Sequence, residues 1–215
     1  MSKTVSPSTQ RAERTYASGR RIFDADSHVM ETLNWLSSYA TESQQGLIAP
    51  LATEKGGRGI YKAITRAESR TQDAAATAQL LEQPLISGPK GWAAYGAFDA
   101  QERSHALDLL GFEKQLVFPT FSISQFAHSR SLDKVYAGCD MLNRRMSDFC
   151  ARDERLLGVG YVSFRDPDLA LQAAQSAIAM GSAPSGSAVT PLQAGHLRTW
   201  ITIPYGVCLN ATMCP

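Results

Sequence analysis

The chain has 215 residues, 44% hydrophobic and 19% charged, which is enough apolar material for one core and excludes wholesale disorder, a collagen-like repeat or a long coiled coil. Its 21 Lys and Arg against 20 Asp and Glu leave a net charge of +1, so no broad field draws it to nucleic acid or to an anionic membrane. Four Cys do not make a disulfide framework and are expected as free thiols.

Residues 1–20 are polar and aperiodic, and are expected as a flexible leader that lacks the apolar run of a secretory signal. No uncharged stretch elsewhere is both long and apolar enough for a transmembrane helix, so a cytoplasmic protein is expected. The stretch Arg21 to His28 begins as an apolar strand and ends in alternating polar residues, which predicts Asp24, Asp26 and His28 on one side of that strand or at its mouth. Residues 43–100, punctuated by Gly56, Gly57, Gly59, Pro84, Gly88 and Pro89, read as a long insertion with a helix around 67–82.

A short amphipathic helix is predicted around 98–110, ended by Gly111, and a strand over Gln115 to Phe118, stopped by Pro119. Apolar residues at helical spacing from Leu132 to Arg152 predict a helix. A buried strand from Leu156 to Val162 follows, then a turn at Asp166-Pro167-Asp168 and a helix from Leu169 to Met180 that Gly181 ends. Strand and helix in alternation is α/β logic. Beyond residue 168 the only charged side chain is Arg198, and residues 182–215 are expected as an irregular tail unlike what precedes them.

Asp26 and His28 offer a carboxylate oxygen and an imidazole nitrogen to one ligand, a combination that suits zinc and related divalent ions. The competing reading has an Asp capping a turn and His28 in an ordinary hydrogen bond. Glu31 reads as a third ligand, an orienting carboxylate or a helix-start residue. His128, beyond the end of the strand at 115–118, is placed for substrate contact, whereas His105 reads as a surface or packing residue. Arg144 and Arg145 read as solvated or ion-paired, and Cys139 and Cys150 as core thiols. Neither a Gly-rich phosphate loop nor a Gly-x-Ser-x-Gly elbow is present.

The segment IFDADSHVMETLNWL resembles the opening of the amidohydrolase-related family that includes aminocarboxymuconate semialdehyde decarboxylase-like proteins, also called amidohydrolase family 2. LDLLGFEKQLVFPTFS resembles its second-strand region, and CDMLNRRMSDFCARDERLLGVGYVSFRDPDLALQAAQSAIAMG its next helix, third strand and third helix. The resemblance covers residues 21–181. It implies an amidohydrolase-type (β/α)8 TIM barrel with the active site at the carboxyl ends of the strands, of which this chain represents only the N-terminal three βα units, the 43–100 insertion included.

The same resemblance places Asp26 at the family's first metal-ligand position and His28 at the second. It implies a divalent metal, zinc or alternatively manganese, and hydrolysis or nonoxidative decarboxylation of a small organic, often aromatic, carboxylic acid. The family's later His ligand and near-terminal catalytic Asp have no counterpart, since His196 lies in a stretch without strand context. The tail is therefore expected as an altered or out-of-frame sequence ending a truncated chain. The alternative function is a noncatalytic barrel fragment, an interaction or structural protein whose exposed edges favour a partner or a homo-oligomer; neither nucleic acid nor a membrane is an expected partner.

Overall fold

The computed structural model describes residues 15–51, 96–181, 190–194 and 197–201, with isolated positions between 61 and 75. Strand β1 (Phe23–Val29) pairs in parallel with β2 (Lys114–Pro119), and β2 pairs in parallel with β3 (Leu156–Gly158), in the order β1-β2-β3. Three helices accompany them: α1 (Ala100–Leu110), α2 (Leu132–Cys150) and α3 (Pro167–Gly181).

Each helix begins where side-chain chemistry dictates, and a glycine ends the first. The Asp99 carboxylate accepts the Glu102 N–H at 2.8 Å to start α1, and Gly111, at φ 71°, ends it in the left-handed region that glycine tolerates. Ser131 caps α2 through the Lys134 N–H at 3.3 Å. Asp166 accepts the Leu169 N–H at 3.0 Å, and Pro167 opens α3, where its missing N–H costs no hydrogen bond.

The core lies between the sheet and the apolar face of α2. Val29, Val117 and Leu156, one from each strand, share it with Val135, Leu142, Met146 and Phe149 of α2 and Leu107 of α1. Along β2 burial alternates: Gln115, Val117 and Pro119 are buried, while Leu116 and Phe118 on the opposite face stay partly exposed. Leu171 and Ile178 of α3 are also exposed. Phe126 seats its ring directly against Gly138 of α2, an approach that leaves no room for a Cβ.

The expected (β/α)8 TIM barrel is overturned. Among the described residues the sheet is open, with β1 and β3 as its edges, and the architecture is a small α/β fold in which one three-stranded parallel sheet is accompanied by α1, α2 and α3. A closed barrel of the expected kind takes eight strands tilted so that the last returns to the first, whereas among the described residues only three pair in parallel.

Other expectations differ in detail. Of the leader, residues 15–20 form a turn in which Ala17 is buried and donates its N–H to Leu110 O at 2.8 Å; residues 1–14 lie outside the described residues. Within the insertion, Tyr61, Lys62, Ile64, Thr65, Ala67, Ser69 and Ala75 are helical, so helical positions begin before the predicted 67–82 and enter it; the rest of that range, apart from Asp73, lies outside the described residues. The tail is not wholly irregular, because β4 (Thr190–Ala194) and β5 (Leu197–Ile201) form an antiparallel pair in which Ala194 faces Leu197. Among the described residues no helix is long and apolar enough to cross a membrane.

Candidate functional site

The carboxyl ends of β1 and β2 bring together the polar residues singled out in the sequence, but not as strict alternation predicts. Asp24 pairs with Gln115 and Ser27 with Val117, so β1 carries one extra residue, a bulge at Ala25-Asp26. The Asp24 carboxylate accepts the Asp26 N–H at 3.0 Å and the Gln115 amide at 3.0 Å, which draws it away from Asp26 and His28. The expected trio on one side is thereby reduced to a pair.

That pair is close. His28 Nε2 lies 3.2 Å from Asp26 Oδ1; the Asp26 side chain is 89% exposed and that of His28 41%. The imidazole stacks on Phe118 of β2, with ring centroids 5.6 Å apart and planes inclined by 30°. Its Nδ1 is 3.3 Å from Thr120 Oγ1, and the Thr120 hydroxyl donates to Val29 O at 2.7 Å.

Two buried charged groups fix the backbone on which this pair stands. Glu31 is fully buried, and its carboxylate accepts the N–H groups of Thr120, Phe121 and Ser122 at 2.9, 2.9 and 3.1 Å and the Ser122 hydroxyl at 2.7 Å. Three successive amides closing on one carboxylate tie the end of β1 to the segment after β2. Arg103 of α1 lies under the strands: its Nε donates to Gly96 O at 2.6 Å, Nη2 to His28 O at 2.5 Å and Nη1 to the Ser27 hydroxyl. Burial pulls its guanidinium down to about 10, so it stays charged at neutral pH, with Asp24 contributing in the opposite direction.

The donor pair passes one test for a divalent ion and fails another. Two ligands each about 2.1 Å from a metal stand about 3.0 Å apart at a right angle and about 3.4 Å apart at the tetrahedral angle, so the Asp26–His28 separation suits adjacent coordination positions. Yet among the described residues no three His, Cys, Asp or Glu side chains cluster as a metal site. Zinc, which takes three or four protein ligands, was expected from the sequence and is corrected on this ground. Glu31 has its oxygens engaged by the 120–122 segment, and His128 is exposed in the turn before α2; neither joins the pair. His196 lies outside the described residues.

Cys139 and Cys150 are buried free thiols, pushed up to about 12 by desolvation, and pack in the core as protonated thiols at neutral pH. Arg144 pairs with Asp140 at 2.7 Å, and Arg145 lies over the rings of Trp35 and Tyr39, with its guanidinium carbon 5.3 and 5.0 Å from their centroids. Sequence reasoning missed Thr120 and Arg103. Adjacent charges within a helix, as at Glu102-Arg103, give no sign of burial, and Thr120 follows a strand-ending proline like any loop residue.

Comparison with protein-family models and with curated proteins finds no match for this chain.

Proposed function

We propose that the chain carries part of a hydrolytic or nonoxidative decarboxylating site for a small organic carboxylic acid, assisted by a divalent cation. The observation that supports this reading best is the Asp26–His28 pair, 3.2 Å between donor atoms, at the carboxyl ends of parallel strands. Loops at that end of an open α/β sheet are where ligands bind.

The residues of the chain divide the work. Asp26 and His28 would hold the cation through one carboxylate oxygen and one imidazole nitrogen. Phe118 and Thr120 orient the imidazole, and Arg103 and Glu31 immobilise the backbone on either side of it. The cation would supply positive charge where negative charge develops on a water or substrate oxygen.

The test is manganese binding to the purified chain by electron paramagnetic resonance, with Asp26→Ala, His28→Ala and the double variant alongside. Saturable binding near one ion per chain, weakened at least tenfold in each single variant, is the expected result, followed by a screen of small carboxylic acids for turnover. A folded chain that binds no manganese at millimolar concentration, or whose variants bind as well as the parent, overturns the reading.

A second reading, a noncatalytic interaction fragment, is favoured by the edges that β1 and β3 leave open among the described residues and by exposed Phe23, Leu171 and Ile178. It predicts a stable cation-free complex without turnover.

A further inference from the structure

We propose that Thr120 is a positioning residue that sets the tautomer of His28, holding Nδ1 as the protonated nitrogen and leaving the lone pair of Nε2 toward Asp26. A threonine hydroxyl has one hydrogen to give. Here Val29 O takes it at 2.7 Å, so at the 3.3 Å contact with Nδ1 the same oxygen can only accept. The ring hydrogen then belongs on Nδ1.

The oxygen is held in place from the other side. Its own backbone N–H is bound by buried Glu31 at 2.9 Å, and the next two residues are bound by the same carboxylate. The chain Glu31, Thr120, His28 thus runs from a fully buried group to a half-exposed imidazole whose plane Phe118 also fixes.

The consequence falls on Nε2. In the neutral ring it becomes an acceptor 3.2 Å from a carboxylate oxygen, and two acceptors face each other unless a cation lies between them. Asp26 alone would favour a proton on Nε2, but its side chain is 89% exposed, so water competes for it, whereas the Thr120 contact is anchored. This deepens the reading above, because Nε2 is then the nitrogen offered to the cation. The tautomer is measured without cation or substrate, so its failure and that of cation binding are separately visible.

The experiment is long-range 1H–15N correlation of the histidine-labelled full chain with chelator at pH about 9, above the ordinary imidazole range near 6.5, the His28 signals being assigned with His28→Gln. An Asp26→Ala background removes the competing acceptor. There the Nδ1–H form is expected to predominate, Thr120→Val to invert the tautomer ratio, and Thr120→Ser to restore it. Predominance of the Nε2–H form with Thr120 present, or an unchanged ratio in folded Thr120→Val, overturns the proposal. If Thr120→Val does not fold, the ratios in the Asp26→Ala background and its Thr120→Ser derivative decide it, since both retain the hydroxyl.

Discussion

Replacing Glu31 tests the part of the site that is most deeply built in. The parent carboxylate receives three backbone N–H groups and one hydroxyl, and it has no solvent contact. In Glu31→Gln the amide oxygen can keep the position facing Thr120 and Ser122, but the amide NH2 then meets the Phe121 N–H, donor against donor. One charge-assisted bond is lost outright, worth about 1.5–3 kcal/mol, and the remaining three weaken toward neutral bonds. The combined cost is about 3 kcal/mol, and Glu31→Ala, which orphans every donor and leaves a cavity, costs about 4–5 kcal/mol. A typical domain holds only about 5–15 kcal/mol in all. With a urea slope of about 2 kcal/mol per molar, the Gln variant should lower the unfolding midpoint by about 1.5 M. The assay is urea denaturation followed by Trp fluorescence and circular dichroism. A midpoint shift below about 0.5 M for Glu31→Gln would mean that solvent reaches these donors and that the carboxylate does not anchor the segment.

Arg103→Met should lower stability by about 3–5 kcal/mol in the same denaturation assay, because Gly96 O, His28 O and the Ser27 hydroxyl lose their common donor within a buried site. Gly138→Ala places a Cβ 2.1 Å from the Phe126 ring, and either the ring or α2 must move; the melting temperature should fall by several degrees, a cost of about 1–3 kcal/mol, and an unchanged value would refute the close approach. Asp153 has its carboxyl held below the usual range: burial alone would raise it, but hydrogen bonds and charge from Arg155 together outweigh that. A depressed folded-state value stabilises above the unfolded carboxyl range near 3.9 and is lost as pH falls through it, so Asp153→Asn should flatten the acid limb of the stability profile below about pH 4 and leave its shape near pH 7 unchanged.

What was legible in the sequence was local. Gly111 as the end of α1 and Asp166-Pro167 as the entry to α3 act through bonds to residues within four positions, and periodicity located the apolar face of α2. The bulge in β1 was not legible, because it appears only as a mismatch of register against β2, and the alternation of Asp24, Asp26 and His28 looks unbroken without it. The burial of Arg103 was hidden for the same reason, its acceptors lying at Gly96, Ser27 and His28 on other elements. Glu31 presents a helix-start pattern to its own neighbours, yet its partners stand about ninety positions away. The antiparallel pair in the tail was obscured by Pro191 and by small residues of low strand propensity, although proline is tolerated on an edge strand.

The distribution of buried polar groups separates a site from an ordinary strand end. An exposed Asp–His contact by itself is worth little, because water screens it and both side chains lose freedom in making it. Here two buried charges, each costly to desolvate, are placed on either side of that contact: Arg103 grips the His28 carbonyl from the helix side, and Glu31 grips Thr120 beyond the strand. If their only role were to stabilise the sheet, apolar residues of similar volume would serve as well or better. What they provide that apolar residues cannot is direction, a fixed carbonyl and a fixed hydroxyl that leave the imidazole one orientation. His28→Gln should therefore change stability by less than about 1 kcal/mol in urea denaturation, since the exposed imidazole contributes little to packing, while weakening the manganese binding proposed for the Asp26–His28 pair.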